Sequence, residues 1–421
     1  MTIEALIFPA VLSSRETSPM VQSRHFFHAA GFDPFDLASR HRRFVREAAR
    51  FADTWNVATA VSALHERGAE DGHWTVTTSA PGWRVRTSFE HLDWSDIVRA
   101  ELARPYARRL WEGAVTFADF NVSGTLLRYF AANWKYAMVF LLPLLDLVMF
   151  GALAIAAGGF AASAIPSLLF GSVGGGLVAA LVFALLLRWP GERWRVGYSL
   201  ANWNFSREYM LGRRLDMEAR IEAFAGRLIA CARRNDIDEI VITGHSLGAT
   251  IVVDAVARAL ARDPELGRHG PQLCVLTVGA TIPKLALHPK GEWLRAKARR
   301  LATEPSLAWA EYQARDDIIS FYKFDPVRLR RTDGGGDRPL IRRVQIHQML
   351  GKATLRRVRF KFMRLHYQFV MANELRTAYD YFMLMCGPAP FRQTIHQPNG
   401  PADLYAADGS WREPAKTAEA Q

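Results

Sequence analysis

An α/β fold with a mostly parallel sheet and helices on both faces, interrupted by a two-helix transmembrane hairpin, is what this sequence predicts. Three observations lead there. Short runs of Ile, Val and Leu, such as "DEIVIT" and "LCVLTVGA", alternate with longer stretches whose apolar residues recur at three- and four-residue steps. Between Ala137 and Leu187 the one charged residue is Asp146. The 421-residue chain is 50% hydrophobic, which leaves enough apolar residues for a sizeable core beside that block.

The apolar block has the length of two crossings, since one needs roughly 20 residues. It breaks at "GGFAASAIPS", Gly158 to Ser167, leaving helices at about 137–157 and 167–188 inside a hairpin spanning 131–190. Arg128 and Lys135 precede it, Arg188, Arg193 and Arg195 follow it, and the turn carries no charge. Positive residues stay on the cytoplasmic side, so both ends of the hairpin, both termini and the folded domain are expected there. Trp134, Tyr136, Trp189 and Trp194 stand where interfacial aromatic belts stand. Asp146 falls near mid-membrane, a position that suits either a functional role or a polar contact with a neighbouring helix. Gly171 and Gly175 form a G-x-x-x-G pair that permits close helix packing, in the hairpin or between two copies in a homo-oligomer.

The stretch "VITGHSLGAT", Val241 to Thr250, carries the chemistry. A serine between two glycines is a weak signal alone; its context strengthens it. Before it stands "DEIVIT", a strand-like run bounded by "RND"; after it, "SLGATIVVDAVARALARD" has helical spacing. Upstream, Met217, Ile221, Phe224, Leu228 and Cys231 mark another helix. Strand, sharp turn and helix would expose Ser246, and Gly244 and Gly248 let backbone and helix approach without a Cβ clash.

"GHSLGA" resembles the nucleophile elbow of the α/β-hydrolase superfamily, most closely its lipase-type members, the class 3 lipases, which carry G-H-S-L-G. In the elbow Gly244, His245 and Gly248 surround Ser246. The resemblance implies a serine, acid, histidine triad in that chain order. "LCVLTVGA" (Leu273 to Ala280) and "LAWAEYQA" (Leu307 to Ala314) read as the following strands. Asp317 then opens "DIIS", similar to the string that carries the acid in lipase-type relatives, with Asp316 and Asp325 as competitors. Of the later histidines, His347 falls in "VQIHQML", read as the last strand. His366 follows that strand and opens a helix, and His396 lies in a Pro- and Gly-punctuated stretch. His366 fits the triad position best. The oxyanion hole would use the N–H of Leu247 and a donor from the strand and loop "SRHFFHAAGFDP", taken as Phe32. Relatives often have His-Gly there, whereas this chain has His28-Ala29-Ala30-Gly31, which leaves the second donor open. "DLASRHRRFVREAARFADTW" then reads as a helix.

The organisation expected is therefore residues 1–130 as the N-terminal half of the domain, 131–190 as the hairpin, 191–400 as the C-terminal half and 401–421 as a disordered tail. "MTIEALIFPAVLSS" reads as a first strand rather than a signal peptide. The net charge of +12, with basic runs at Arg295–Arg300, Arg328–Arg331 and Arg356–Arg364, suits an anionic membrane surface. No nucleic-acid motif, phosphate loop or metal-ligand spacing is present, no cofactor is expected, and three dispersed cysteines read as buried thiols. The implied activity is hydrolysis of acyl esters, with lipids as the expected substrates and the bilayer as partner. A thioesterase or transacylase, or a non-catalytic membrane-bound binding module, is the alternative.

Overall fold

The apolar runs that read as strands pair into one sheet. The computed structural model describes residues 20–66 and 71–412. The expected N-terminal strand, and 413–421 of the expected tail, lie outside the described residues. Eleven strands are present among them: β1 (Ser23–Ala29), β2 (Ala58–Val61), β3 (His65–Glu66), β4 (Asp71–Ala80), β5 (Trp83–Leu92), β6 (Glu239–His245), β7 (Gln272–Val278), β8 (Leu307–Ala314), β9 (Phe324–Asp325), β10 (Arg330–Arg331) and β11 (Leu340–Val344).

Nine of these form one sheet in the order β11-β8-β7-β6-β1-β5-β4-β2, with β3 also on β4; β9 and β10 pair separately. From β11 to β5 every pairing is parallel. The β4 pairings with β5, β2 and β3 are antiparallel. The stretch "TVTTSAPGWRVRTSF" is thus an antiparallel hairpin of β4 on β5 towards one edge of the sheet. Its β5 alternates buried and exposed residues, as a strand with one solvated face should. By contrast β6 is buried along its whole length, because both faces are covered.

The two-residue period of the strands divides the core. Phe26 of β1 and Val241 of β6 face a cluster containing Phe44 and Trp55 of the helix Leu37–Trp55. Phe27, Ile240 and Ile242 face the opposite cluster, with Phe224 and Val252 of the helices Leu215–Ala232 and Gly248–Arg262. Residues before and after the apolar block therefore build one sheet, with β1 from the first half seated between β5 and β6.

Two helices are long and apolar enough to cross a membrane: Thr125–Ser163, and a second that begins at Leu168 and runs to Gly191. The first starts earlier and ends later than the sequence suggested. It is broken at Asn133, whose backbone is extended (φ −156°, ψ 102°). Asn133 caps a fresh helix start: its Oδ1 accepts from the N–H groups of Lys135 and Tyr136 at 3.0 and 3.4 Å. The leg before the break belongs to the domain, where Tyr129 is fully buried. The leg after it exposes Val148, Ile155 and Phe160.

Gly158 does not end the first helix, as its neighbour Gly159 and the following residues suggested it would. A Cβ on Gly158 would lie 2.5 Å from the Gly175 carbonyl oxygen, and one on Gly175 would lie 2.5 Å from that of Gly158. Gly171 and Gly175 therefore face the other helix of the same chain. They bring the two backbones together inside the hairpin.

Four further expectations change. Two helices that the sequence reading did not place, Tyr106–Val122 and Val196–Met210, flank the hairpin base, where Phe120 stacks on Phe140 and Phe140 on Trp203. The last strand ends at Val344, and His347 lies in the helical turn Ile346–Met349. His366 closes a short helix, Phe362–His366, instead of opening one. Finally, 401–412 is ordered against the domain. Leu404 and Tyr405 are buried, the Trp83 indole donates to the Gly409 carbonyl at 2.9 Å, and Tyr405 bridges to Trp411. A polar composition concealed these few large apolar anchors.

Candidate active site

Five segments following parallel strands converge at one end of the sheet. Ala30–Phe32 follow β1, Ser246 follows β6, Gly279–Thr281 follow β7, Asp317 follows β8, and His366 comes after β11. Register explains part of this: Ala29 is opposite Gly244, and His245 is opposite Val278. Carboxyl ends of parallel strands are where open α/β sheets place ligand sites.

Ser246 stands on the turn between β6 and the helix Gly248–Arg262, with φ +57°. That left-handed conformation costs a non-glycine residue on the order of 1–3 kcal/mol. Hydrogen bonds on both sides hold it: its N–H donates to the Val278 carbonyl, and its own carbonyl accepts from Ala249 and Thr281, each at 3.2 Å. Gly244 and Gly248 make the turn possible by close approach. A Cβ on Gly248 would lie 2.2 Å from the Ala29 carbonyl oxygen, and one on Gly244 would lie 2.4 Å from the Ala249 Cα. Gly248→Ala is expected to destabilise the domain by about 3 kcal/mol, because backbone rather than a side-chain tip must move. Gly226→Ala, whose Cβ would meet only the Arg262 side chain at 3.7 Å, is the control and is expected to be neutral or stabilising. Thermal unfolding of the two variants checks this.

His366 and Asp317 are buried together, 2% and 1% exposed. The Nδ1–H of His366 donates to Asp317 Oδ2 at 2.8 Å, while Asp317 Oδ1 accepts from the Ile319 N–H at 3.0 Å. With Nδ1 carrying the proton, Nε2 of the neutral ring is an acceptor. This Nε2 is buried and has no hydrogen-bond partner among the described residues. It borders the same cavity, of about 120 Å³, as Ser246 and Leu247.

The competing residues go elsewhere. Asp316 accepts from the His347 ring and backbone N–H at 3.1 and 3.3 Å on the surface. Asp325 Oδ1 accepts from the N–H groups of Val327 and Arg328 at 2.8 and 2.9 Å, which shapes the β9–β10 turn. His396 ends the short helix Phe391–His396.

His245 has a use beyond the turn itself. Burial, then the neighbouring His366, His28 and Arg43, drive its pKa well below the ordinary imidazole value. The neutral ring therefore donates from Nε2 to the His366 carbonyl, 3.1 Å away. It fixes the backbone that carries His366.

The Ala30–Asp33 loop is held by residues that sequence reasoning did not single out. The Trp94 indole donates to the Ala30 carbonyl at 3.0 Å, and the Tyr198 hydroxyl donates to the Phe32 carbonyl. Buried Asp33 accepts from the Tyr367 hydroxyl at 2.9 Å, and Arg40 donates to the Asp33 carbonyl at 3.0 Å. Gly31 brings this loop against the serine, since a Cβ there would lie 2.9 Å from Ser246 Cβ. Phe32 and Leu247 both border the cavity.

The cavity has two characters. Tyr136, Val139 and Phe140, the first turns of the apolar helix beyond Asn133, form one wall together with Ile319 and Met363. Ser199, Asn202, Thr281 and Lys284 supply polar groups on another. Among the described residues no cluster of three His, Cys, Asp or Glu is arranged to hold a metal ion. Cys231, Cys274 and Cys386 are free and buried. Comparison of the chain with protein-family models, curated proteins and solved structures gives no match.

Proposed function

We propose that this chain is a membrane-anchored serine hydrolase of the α/β-hydrolase, lipase-like type, cleaving acyl esters of lipids. The observation that carries the reading is the unpartnered Nε2 of His366. It is buried, oriented through Nδ1 by Asp317, and borders the cavity that holds a serine on a positive-φ turn. What sets this atom apart from other unpartnered buried groups is its setting, with Asp317 on the far side of the ring and Ser246 on the same cavity.

In this mechanism His366 Nε2 takes the proton of the Ser246 hydroxyl as Oγ attacks the ester carbonyl. Asp317 keeps the ring in the required tautomer and stabilises its charged form. The N–H groups of Leu247 and Phe32 receive the developing oxyanion, and each such donor is worth on the order of 100-fold or more in rate. Collapse breaks the acyl–oxygen bond, and His366 returns the proton to the leaving alcohol. Water, deprotonated by His366, then attacks the acyl-enzyme; the acyl–Oγ bond breaks, His366 returns the proton to Ser246 Oγ, and the acid is released. A thioesterase or transacylase would use the same residues, and comparing ester, thioester and acyl-acceptor substrates separates them. A fluorophosphonate probe tests the reading itself: wild-type protein should label at Ser246, and absence of labelling would sink the proposal.

The membrane part rests on the cavity wall. Tyr136, Val139 and Phe140 belong to the start of an apolar membrane-length helix, so the cavity is lined in part by the segment that meets the membrane in this reading. The arginines and lysine flanking the hairpin support a cytoplasmic position for the domain. A further surface fits an interface. Phe360 and Phe362, 74% and 44% exposed, stand among Arg356, Arg357, Arg359 and Lys361, next to cavity-lining Met363. Replacing both with serine is expected to lower the rate on a bilayer-dispersed ester, relative to a soluble short-chain ester, by about fivefold. That corresponds to losing about 1 kcal/mol of interfacial burial. Parallel assays on the two substrates measure it.

A further inference from the structure

The polar wall of the cavity contains a buried cation without a counter-charge. Lys284 is 4% exposed, and it lies in the helical turn Ile282–Ala286 that follows β7. Its Nζ donates to Asn202 Oδ1 at 2.9 Å and, more weakly, to the Asn202 carbonyl at 3.4 Å. No carboxylate among the described residues forms an ion pair with it, unlike Lys297 and Lys323, which do have acidic partners. Burial lowers its pKa to about 7. One turn earlier Thr281, 5% exposed, has a buried hydroxyl with no hydrogen-bond partner. Both residues border the cavity beside Ser246 and Leu247. A buried ammonium is costly unless paired, and a buried hydroxyl is costly unless hydrogen-bonded. A ligand with an anionic oxygen would satisfy both at once.

We propose that Lys284 and Thr281, with Asn202 orienting the ammonium, bind an anionic headgroup oxygen of the substrate, so that the preferred substrate is an acyl ester lipid with a negative charge near the scissile carbonyl. This rests on the hydrolase reading of Ser246. Lys284 is a specificity residue in it: the oxyanion donors remain the backbone N–H groups, and the proton carrier remains His366.

The test compares phosphatidylglycerol with a diacylglycerol of the same acyl chains, each dispersed in non-ionic detergent micelles so that surface charge is not the variable. The readout is the ratio of the two kcat/KM values, which cancels general damage to the site. Wild-type protein is expected to favour the anionic ester by about tenfold. Lys284→Met should bring the ratio towards one, mainly through KM, while Lys284→Arg should keep most of it. Should Lys284→Met not fold, the wild-type ratio measured across pH supplies the answer. The ammonium is present below its pKa of about 7, so the ratio is expected to fall as pH rises through neutrality. The other titratable groups near Lys284 are His366, Tyr136 and Tyr198 on the cavity wall, Tyr129 bonded to the Lys284 carbonyl, and the His288–Asp119 pair beyond it. Lys284→Arg keeps its cation through this range, so a pH-dependence of the ratio that persists in Lys284→Arg belongs to these groups and not to Lys284.

A wild-type ratio near one, or a ratio unchanged in Lys284→Met, would overturn the proposal. Inorganic phosphate protecting Ser246 from the fluorophosphonate probe as well as phosphatidylglycerol does would assign the cation to a free anion, and would overturn it too. If Ser246 labels but the ratio is flat, the headgroup site alone fails; if Ser246 does not label, the hydrolase reading fails first.

Discussion

Ser246→Ala is expected to abolish fluorophosphonate labelling and to lower ester hydrolysis by about 10⁴-fold or more. Of the titratable groups that border the cavity, His366 is the base proposed for this hydroxyl and Lys284 is a cation bonded to Asn202. The same residue predicts a stability effect of opposite sense. Ser246 holds φ +57°, which a glycine adopts freely and an alanine does not. Ser246→Gly should therefore be as inactive as Ser246→Ala yet about 1 kcal/mol more stable than it. Activity and thermal unfolding measured on the two variants separate the chemical role of the side chain from the strain of the turn. Equal labelling of Ser246→Ala and wild type would end the enzyme reading.

Asp317→Asn is expected to cost about 10⁴-fold in kcat with little loss of fold. An amide placed where Oδ2 now accepts from the His366 Nδ1–H can present its NH₂ instead. The ring would then carry its proton on Nε2 and be unable to take one from Ser246. Asp316→Asn is the matched control. Asp316 bonds the exposed His347, so that substitution should leave kcat within about twofold. A large loss in Asp316→Asn with none in Asp317→Asn would reassign the acid.

The readable parts of the site were those made by continuous chain. Strand, turn and helix around Ser246 occupy one unbroken stretch, and a strained turn there needs small residues at Gly244 and Gly248 whatever surrounds it. The hairpin was readable because apolar composition at membrane length is a property of the segment alone. Its boundaries were less so: Asn133 breaks the first helix because its side chain finds backbone partners on both sides, Ser320 as well as Lys135 and Tyr136.

The choice between Asp316 and Asp317 illustrates the limit. The two carboxylates are adjacent in sequence, and only the path of the chain after β8 sends one inward to His366, 49 residues away, and the other outward to His347. The clamps on the Ala30–Asp33 loop are more remote still. Trp94, Tyr198 and Tyr367 reach it across 64, 166 and 334 residues of sequence. No local pattern encodes such contacts. Lys284 stayed invisible for a related reason: a lysine reads as exposed until the fold encloses it.

By itself, then, the sequence determined what short-range sterics and composition control: an α/β chain, a serine on a tight turn and a membrane-length hairpin. The tertiary structure decided which carboxylate meets which imidazole, how the loop after β1 is held, that 401–412 packs, and that the apolar helix supplies a wall of the cavity. The physical reason is range. Turns and periodicity are settled by neighbours within a few residues, whereas burial and hydrogen-bond partnership depend on segments that only the parallel sheet brings together.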